Sequence, residues 1–265
     1  MKNHTKNLLP ATLLLAMTTA MAQQPAPPTE QNIVTGTYHP LAAGQISSSV
    51  SVLDQETIGQ INKTNLADLL ESVPGVLIER QGGPGGLAVA SIRGAETNYT
   101  LVMLDGVAMN DPGNSRGGAF DLGSIDVESI ERIEIVRGPQ SAIYGADALG
   151  GVINIITLRP SAGHQQTLSV SAGSDDYQRA GLSALGKTGA VDYAVQARVR
   201  DSGEPVKGST AEDSEINLRL GWQPADAHRL SASFRYFDGE RTSYPEQSGG
   251  PEYALSPLLD RTEFT

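Results

Sequence analysis

Residues 134–157 read EIVRGPQSAIYGADALGGVINIIT. A strand-like start, Glu134 to Arg137, runs into Gly138-Pro139. Gly145 and the pair Gly150-Gly151 follow, and then an apolar, β-branched run from Val152 to Thr157. The stretch has no histidine, no cysteine and no serine poised beside a base. A phosphate-cradling loop is excluded by spacing, because neither GxxxxGK[ST] nor a GxGxxG joining strand to helix is present. The glycines need an explanation other than catalysis.

Around this stretch, residues 46–160 read as a compact α+β unit, a small mixed sheet with short helices. ISSSVSVL is a predicted strand. TNLADLLESVPG is a predicted helix, with Leu66, Leu69, Leu70 and Val73 on one face at i, i+3, i+4, i+7. Thr64 or Asn65 is its expected cap, and Pro74-Gly75 its stop. VLIE, VASIRG, TLVMLDG, RIEIV and GVINIIT are short strand candidates. Asp105-Gly106 marks a turn between TLVML and VAM.

After Pro160 the pattern changes to period 2. Val191, Tyr193, Val195, Ala197 and Val199 alternate with polar residues. So do Ile216, Leu218, Leu220 and Trp222, and then Leu230, Ala232, Phe234 and Tyr236. Leu168, Val170 and Ala172 show the same rhythm, and Ala180, Leu182 and Ala184 a fainter one. Each run has one apolar and one polar face. A soluble sandwich alternates too, but three features favour a membrane barrel. The runs have about the length a tilted strand needs to cross a bilayer. The polar face carries arginines and acids, as a wet lumen would. Links alternate between short (KTG, QPADA) and long (201–214, 238–260), as periplasmic turns and outer loops do. Tyr193 and Trp222 then fall near the periplasmic interface and Tyr236 near the outer one.

The N-terminus supplies an address. Lys2 and Lys6 precede an apolar core from Leu8 to Ala20, and Ala20-Met21-Ala22 forms a small-x-small cleavage pattern, so residues 1–22 read as a secretory signal peptide. Its removal leaves 30 acidic side chains and all but two of the 19 basic ones. That balance argues against a nucleic-acid partner. The chain has no cysteine, which excludes disulfides and thiolate metal sites. No later segment reaches about 18 apolar residues, so insertion into a membrane is expected through strands. Residues 23–45 read as a flexible linker, proline-rich from Gln23 to Glu30, with a β-prone island, EQNIVTG, at Glu30–Gly36.

SIRGAETNYTLVMLDGVAMND and IERIEIVRGPQSAIYGADALGGVINIIT resemble the plug motifs of TonB-dependent outer-membrane transporters, and within them the cobalamin and siderophore receptor group. LADLLESVPGV is similar to the helix-to-strand step of the same plug. The resemblance implies a plug over residues 46–160. It also implies that residues 161–265 are the first antiparallel strands, about five and the start of a sixth, of an incomplete barrel of about 22 strands. An unclosed sheet leaves unpaired backbone in lipid, so the chain is expected to be the N-terminal part of a longer protein or a truncated product. The setting implied is the outer membrane of a Gram-negative cell, with TonB, outer-membrane lipid and a scarce ligand, cobalamin or a ferric siderophore, as partners. The glycines then serve packing: Gly138-Pro139 turns the chain, Ala142–Tyr144 makes a helical turn, and Gly145, Gly150 and Gly151 clear space where backbone passes backbone.

Site residues follow from the same resemblance. Glu30, Gln31, Asn32, Ile33, Val34, Thr35 and Gly36 are the implied TonB box. Two plug loops are implied to face the ligand, through Arg80, Gln81, Gly82 and Gly83 in one and Asn110, Asp111, Asn114, Ser115 and Arg116 in the other. Arg93 and Arg137 are implied to face the barrel wall and to pair with glutamates on later strands. No cofactor is expected, save that Asp201, Glu204, Glu212 and Asp213 in a long outer loop are a candidate calcium set. No catalytic residue is expected. After the signal peptide the histidines are His39, His164 and His228, widely spaced, and GxSxG, HExxH and paired-carboxylate patterns are absent. Against the receptor stand two alternatives of other classes, a secreted or periplasmic plug-like binding module and a secreted enzyme, and the absent catalytic patterns argue against the enzyme. Coding sequence downstream of Thr265 separates receptor from module: more alternating segments favour the receptor.

Overall fold

The computed structural model describes residues 32–33, 35, 41–42, 48–80, 82, 86–110, 113, 118–160, 163–206, 208–225, 228–243 and 262–264. The predicted signal peptide lies outside the described residues. Two short strands, β1 (Asn32–Ile33) and β2 (Leu41–Ala42), pair antiparallel ahead of the first domain.

That domain is built on a five-stranded mixed sheet. It comprises β3 (Ser49–Asp54), β6 (Thr100–Leu104), β7 (Val107–Ala108), β8 (Ile130–Arg137) and β9 (Gly151–Thr157), in the order β3-β8-β9-β6-β7. Only β6 and β9 run parallel. A separate hairpin joins β4 (Val76–Arg80) to β5 (Ala88–Ile92). β9 is buried on both faces and reads as the near-continuous apolar run GVINII, whereas β8, buried over Ile133–Arg137, still alternates charged and apolar residues through Arg132 and Glu134. Ile133, Ile135, Ile153 and Ile155 pack with helix α2 (Leu66–Glu71), whose Leu66, Leu69 and Leu70 are fully buried. Each leucine stabilises by about 1.5–3 kcal/mol through that burial. Asn65 caps α2, its side chain accepting from the Asp68 N–H at 2.8 Å. Helix α1 (Gln55–Ile61) escapes the periodicity argument. It is short, carries Gly59 in its middle and buries only Ile58, yet Asp54 caps it.

On the opposite face, residues 139–149 fold over Leu101, Met103 and Val152, and include the helical turn α3 (Ser141–Tyr144). The glycine expectation holds in two places and fails in one. A Cβ on Gly151 would lie 2.4 Å from the Val136 carbonyl oxygen, and one on Gly150 would lie 3.1 Å from that of Tyr99. Gly145 meets nothing within 4 Å; its φ of +86°, not crowding, calls for glycine. Asp105 and Gly106 both have positive φ and close the β6–β7 hairpin as a type I′ turn.

A second sheet follows: β10 (Gly163–Ala172), β11 (Gln178–Thr188), β12 (Val191–Asp201), β13 (Thr210–Ala225), β14 (His228–Ser243) and β15 (Thr262–Phe264), each antiparallel to the next in chain order. Its outer face is apolar and open, with Leu168 and Val170 75% and 74% exposed. Its inner face carries Arg179, Arg198, Asp213 and Glu215, all buried against the first domain or against each other. β13 and β14, at 16 residues each, outrun their apolar stretches. Part of what reads as loop in 201–214 and 238–260 is therefore ladder. Beyond Ile216 and Tyr236 the outer face becomes polar, and the period-2 signal stops while the hydrogen bonds continue. Among the described residues no helix is long and apolar enough to cross a membrane.

Candidate functional site

Three features of the first domain bear on function: its N-terminal attachment, the residues expected to face a ligand and its seat on the second sheet.

The attachment centres on Thr35, which is buried. Its N–H and hydroxyl donate to Glu134 Oε2 at 3.0 and 2.6 Å, and Asn154 Nδ2 donates to the Thr35 hydroxyl at 2.9 Å. Glu134 is itself fully buried on β8 and takes a third bond from Arg132 Nε at 3.0 Å. Of the other residues in the expected TonB box, Asn32 and Ile33 form β1, while Glu30, Gln31, Val34 and Gly36 lie outside the described residues.

The residues expected to face a ligand divide. Arg80 ends β4 and turns back to α2, pairing with Asp68 and with Glu71 at 3.2 Å. Asn110 is consumed by the fold: its Oδ1 accepts from Val102 N–H at 2.8 Å and its Nδ2 donates to the Thr100 carbonyl at 3.2 Å. Gly82 sits in the left-handed region at φ +72°. Gln81, Gly83, Asp111, Asn114, Ser115 and Arg116 lie outside the described residues.

Arg93 and Arg137 come together. Arg137 donates to the hydroxyls of Ser51 and Ser49 at 2.6 and 3.1 Å, and its Nε has no partner. Burial, and then the nearby Arg93 guanidinium, push its pKa down. Neither arginine has a carboxylate partner among the described ion pairs. The calcium set does not converge. Asp201 accepts from Gly203 N–H at 2.8 Å, Glu204 accepts from Gly208 N–H, and Asp213 turns inward onto Arg198 and Arg200. Glu212, next to Asp213 in an extended strand, faces the other way. Among the described residues no group of three or more acidic or histidine side chains could hold a metal.

The seat was not anticipated from the sequence. Residues 121–128, DLGSIDVE, lie against the inner faces of β11, β12 and β14. Asp121 pairs with Arg241. Asp126 pairs with Arg179 at 2.8 Å and lies 4.0 Å from Arg198; Glu128 reaches Arg179 at 2.7 Å. Arg200 and Arg235 donate to the carbonyls of Gly123 and Ser124 at 3.0 and 2.6 Å. Lower on the wall, Asp105 meets Arg219 at 3.2 Å and accepts from the Thr157 hydroxyl at 2.6 Å. Burial pushes the Asp126 carboxyl above its ordinary range, with Arg179 and Arg198 opposing. The signal available in sequence was the acid spacing of DLGSIDVE against arginines at every sixth position of RLSASFRYFDGER, but nothing local joins the two. A cleft of about 1110 Å³ separates α1 from the inner faces of β10 and β11.

A small mixed-sheet domain seated on the polar face of an antiparallel sheet, with the opposite face apolar, is a plug against its barrel wall, and the chain belongs to the TonB-dependent receptors. Residues 43–152 match the family model "TonB-dependent Receptor Plug Domain". The vitamin B12 transporter BtuB of Vibrio vulnificus is 31% identical over 241 residues, which is 87% of this chain and 38% of that protein. The chain thus spans well under half of that relative. Among solved structures, the ferripyoverdine receptor of Pseudomonas aeruginosa superposes with a TM-score of 0.71 at 19% identity, over 89% of this chain and 31% of the receptor. The siderophore receptor PiuA of Acinetobacter baumannii gives 0.63 at 24%, over 82% and 29%. At those identities the likeness is one of fold.

Proposed function

We propose that this chain is the N-terminal part of an outer-membrane receptor that captures a scarce ligand, cobalamin or a ferric siderophore, and imports it when TonB acts on residues Glu30–Gly36. One observation carries the reading: a plug sits on the polar face of a sheet whose other face is apolar and exposed, and the segment just ahead of it is tied into its core through Thr35, Glu134 and Asn154. A pull on that segment acts on β8 and β9, the central strands of the plug. Arg80 and the loop after it, with residues 110–118, form the ligand side of this reading, and Arg93 and Arg137 await carboxylates from strands that follow. Calcium at Asp201, Glu204, Glu212 and Asp213 has no support in the geometry and is not part of the reading.

The test uses the gene extended to its full barrel. Ile33, Val34 and Thr35 favour an extended conformation that a partner's sheet edge can pair with. Val34→Pro removes a backbone donor from that pairing. Binding of labelled cobalamin and ferric siderophores to whole cells should persist, and uptake should fall to the level of a strain lacking TonB. Normal uptake by the proline variant would remove the TonB-box assignment, and loss of surface binding would show that the segment shapes the ligand site instead.

A further inference from the structure

The inner face of the wall carries more positive charge than it neutralises. Arg229 is matched by Asp192 at 2.8 Å. Arg198, Arg200 and Arg235 crowd onto two carboxylates, Asp213 and Glu215. Arg179, Arg219 and Arg241 pair only with plug carboxylates among the described residues. Seven arginines and Lys187 against three carboxylates leave five positive charges on this face, four of them on arginines, and the plug meets those arginines with four acids, Asp105, Asp121, Asp126 and Glu128. Lys187, exposed at the short-turn end of β11, stands outside the paired set.

The match is one of position as well as number. The turn Leu122–Ser124 presents its carbonyls to Arg200 and Arg235 between the two flanking carboxylates. Asp121 is held for the task, its Oδ1 accepting from Ala88 and Gly123 N–H while Oδ2 meets Arg241. Arginines spaced along neighbouring strands repel one another when nothing opposes them. Complementary charge across an interface selects partner and register.

We propose that the arginine face of β11–β14 is a docking surface for one partner, the acidic edge of this chain's own plug, and that this charge match seats the plug on the open sheet without help from barrel closure. The plug and the first strands then form one unit ahead of the rest of the barrel, independently of TonB. A protease site placed between Pro160 and Gly163 tests this on the 265-residue chain refolded in detergent. After cleavage, plug and strands should co-elute in about 0.1 M salt and separate near 1 M, as the screening length falls from about 10 to about 3 Å. The cleaved variant D105N/D121N/D126N/E128Q should separate already at the lower salt. Amide exchange on β8 and β9 of the uncut variant shows whether its plug is folded; if it is not, the salt titration of the unsubstituted chain decides alone. Separation of the unsubstituted halves at low salt overturns the proposal, as does co-elution that survives high salt or, with a folded plug, loss of all four acids.

Discussion

At Asp126 burial and charge pull in opposite directions, and burial is the larger. The folded carboxyl therefore stands above the ordinary value of 3.8, and the fold favours its protonated form. The stability this group contributes is full below that ordinary value and is lost as pH rises through the raised one. Asp126→Asn copies the uncharged form. It should flatten that part of the pH profile and change stability little near neutrality. Arg179→Met is the harsher change, because it leaves a buried carboxylate facing only the more distant Arg198, a loss of about 3–5 kcal/mol. Urea denaturation of the detergent-held chain across pH, for both variants, checks the order. None of this was legible in the sequence, where Asp126 is one acid among several in a polar loop. Thr35 and Glu134 were equally hidden: 99 residues separate them, and no local pattern pairs a threonine in a presumed free segment with a strand glutamate.

The elements were more readable, because their signals are local. The i, i+3, i+4 leucines located α2, the Asp-Gly pair located the β6–β7 turn, and alternation located β12, β13 and β14. What failed was what depends on contact between elements. Gly145, Gly150 and Gly151 look alike in sequence, but only the last two touch another part of the chain at their missing Cβ. The structure therefore separates two substitutions that sequence treats as equal. Gly151→Ala forces a methyl group into the Val136 carbonyl and to 2.8 Å from Ile92 Cδ1, at a φ of +153°. Overpacking and backbone strain each cost about 1–3 kcal/mol, so the two together should unfold a marginal plug. Gly145→Ala meets only the strain, about 1–3 kcal/mol. Thermal melts of the two variants should place Gly151→Ala well below Gly145→Ala, and equal midpoints would show that the plug relaxes around β9.

For the whole molecule, the choice between membrane wall and soluble sandwich rests on the outer face of the second sheet, and a single position can decide it. Leu218 lies midway along β13, directly between Val195 on β12 and Phe234 on β14, with Asn217 beside it on the inner face. All three apolar side chains are exposed. If lipid covers them, a lysine at 218 stands near the middle of the hydrocarbon and costs about 2–4 kcal/mol, whereas Asn217→Lys faces the wet interior and costs far less. If a second layer of protein covers them, the chain should be soluble without detergent, and the same lysine would disrupt a core instead. Refolding into lipid vesicles, followed by protease protection of β12–β14, gives the reading. Protection should be kept by Asn217→Lys and reduced by Leu218→Lys. A detergent-free monomer of the unsubstituted chain, or equal protection in both variants, would return the second sheet to the sandwich class and leave the plug without a membrane wall to sit on.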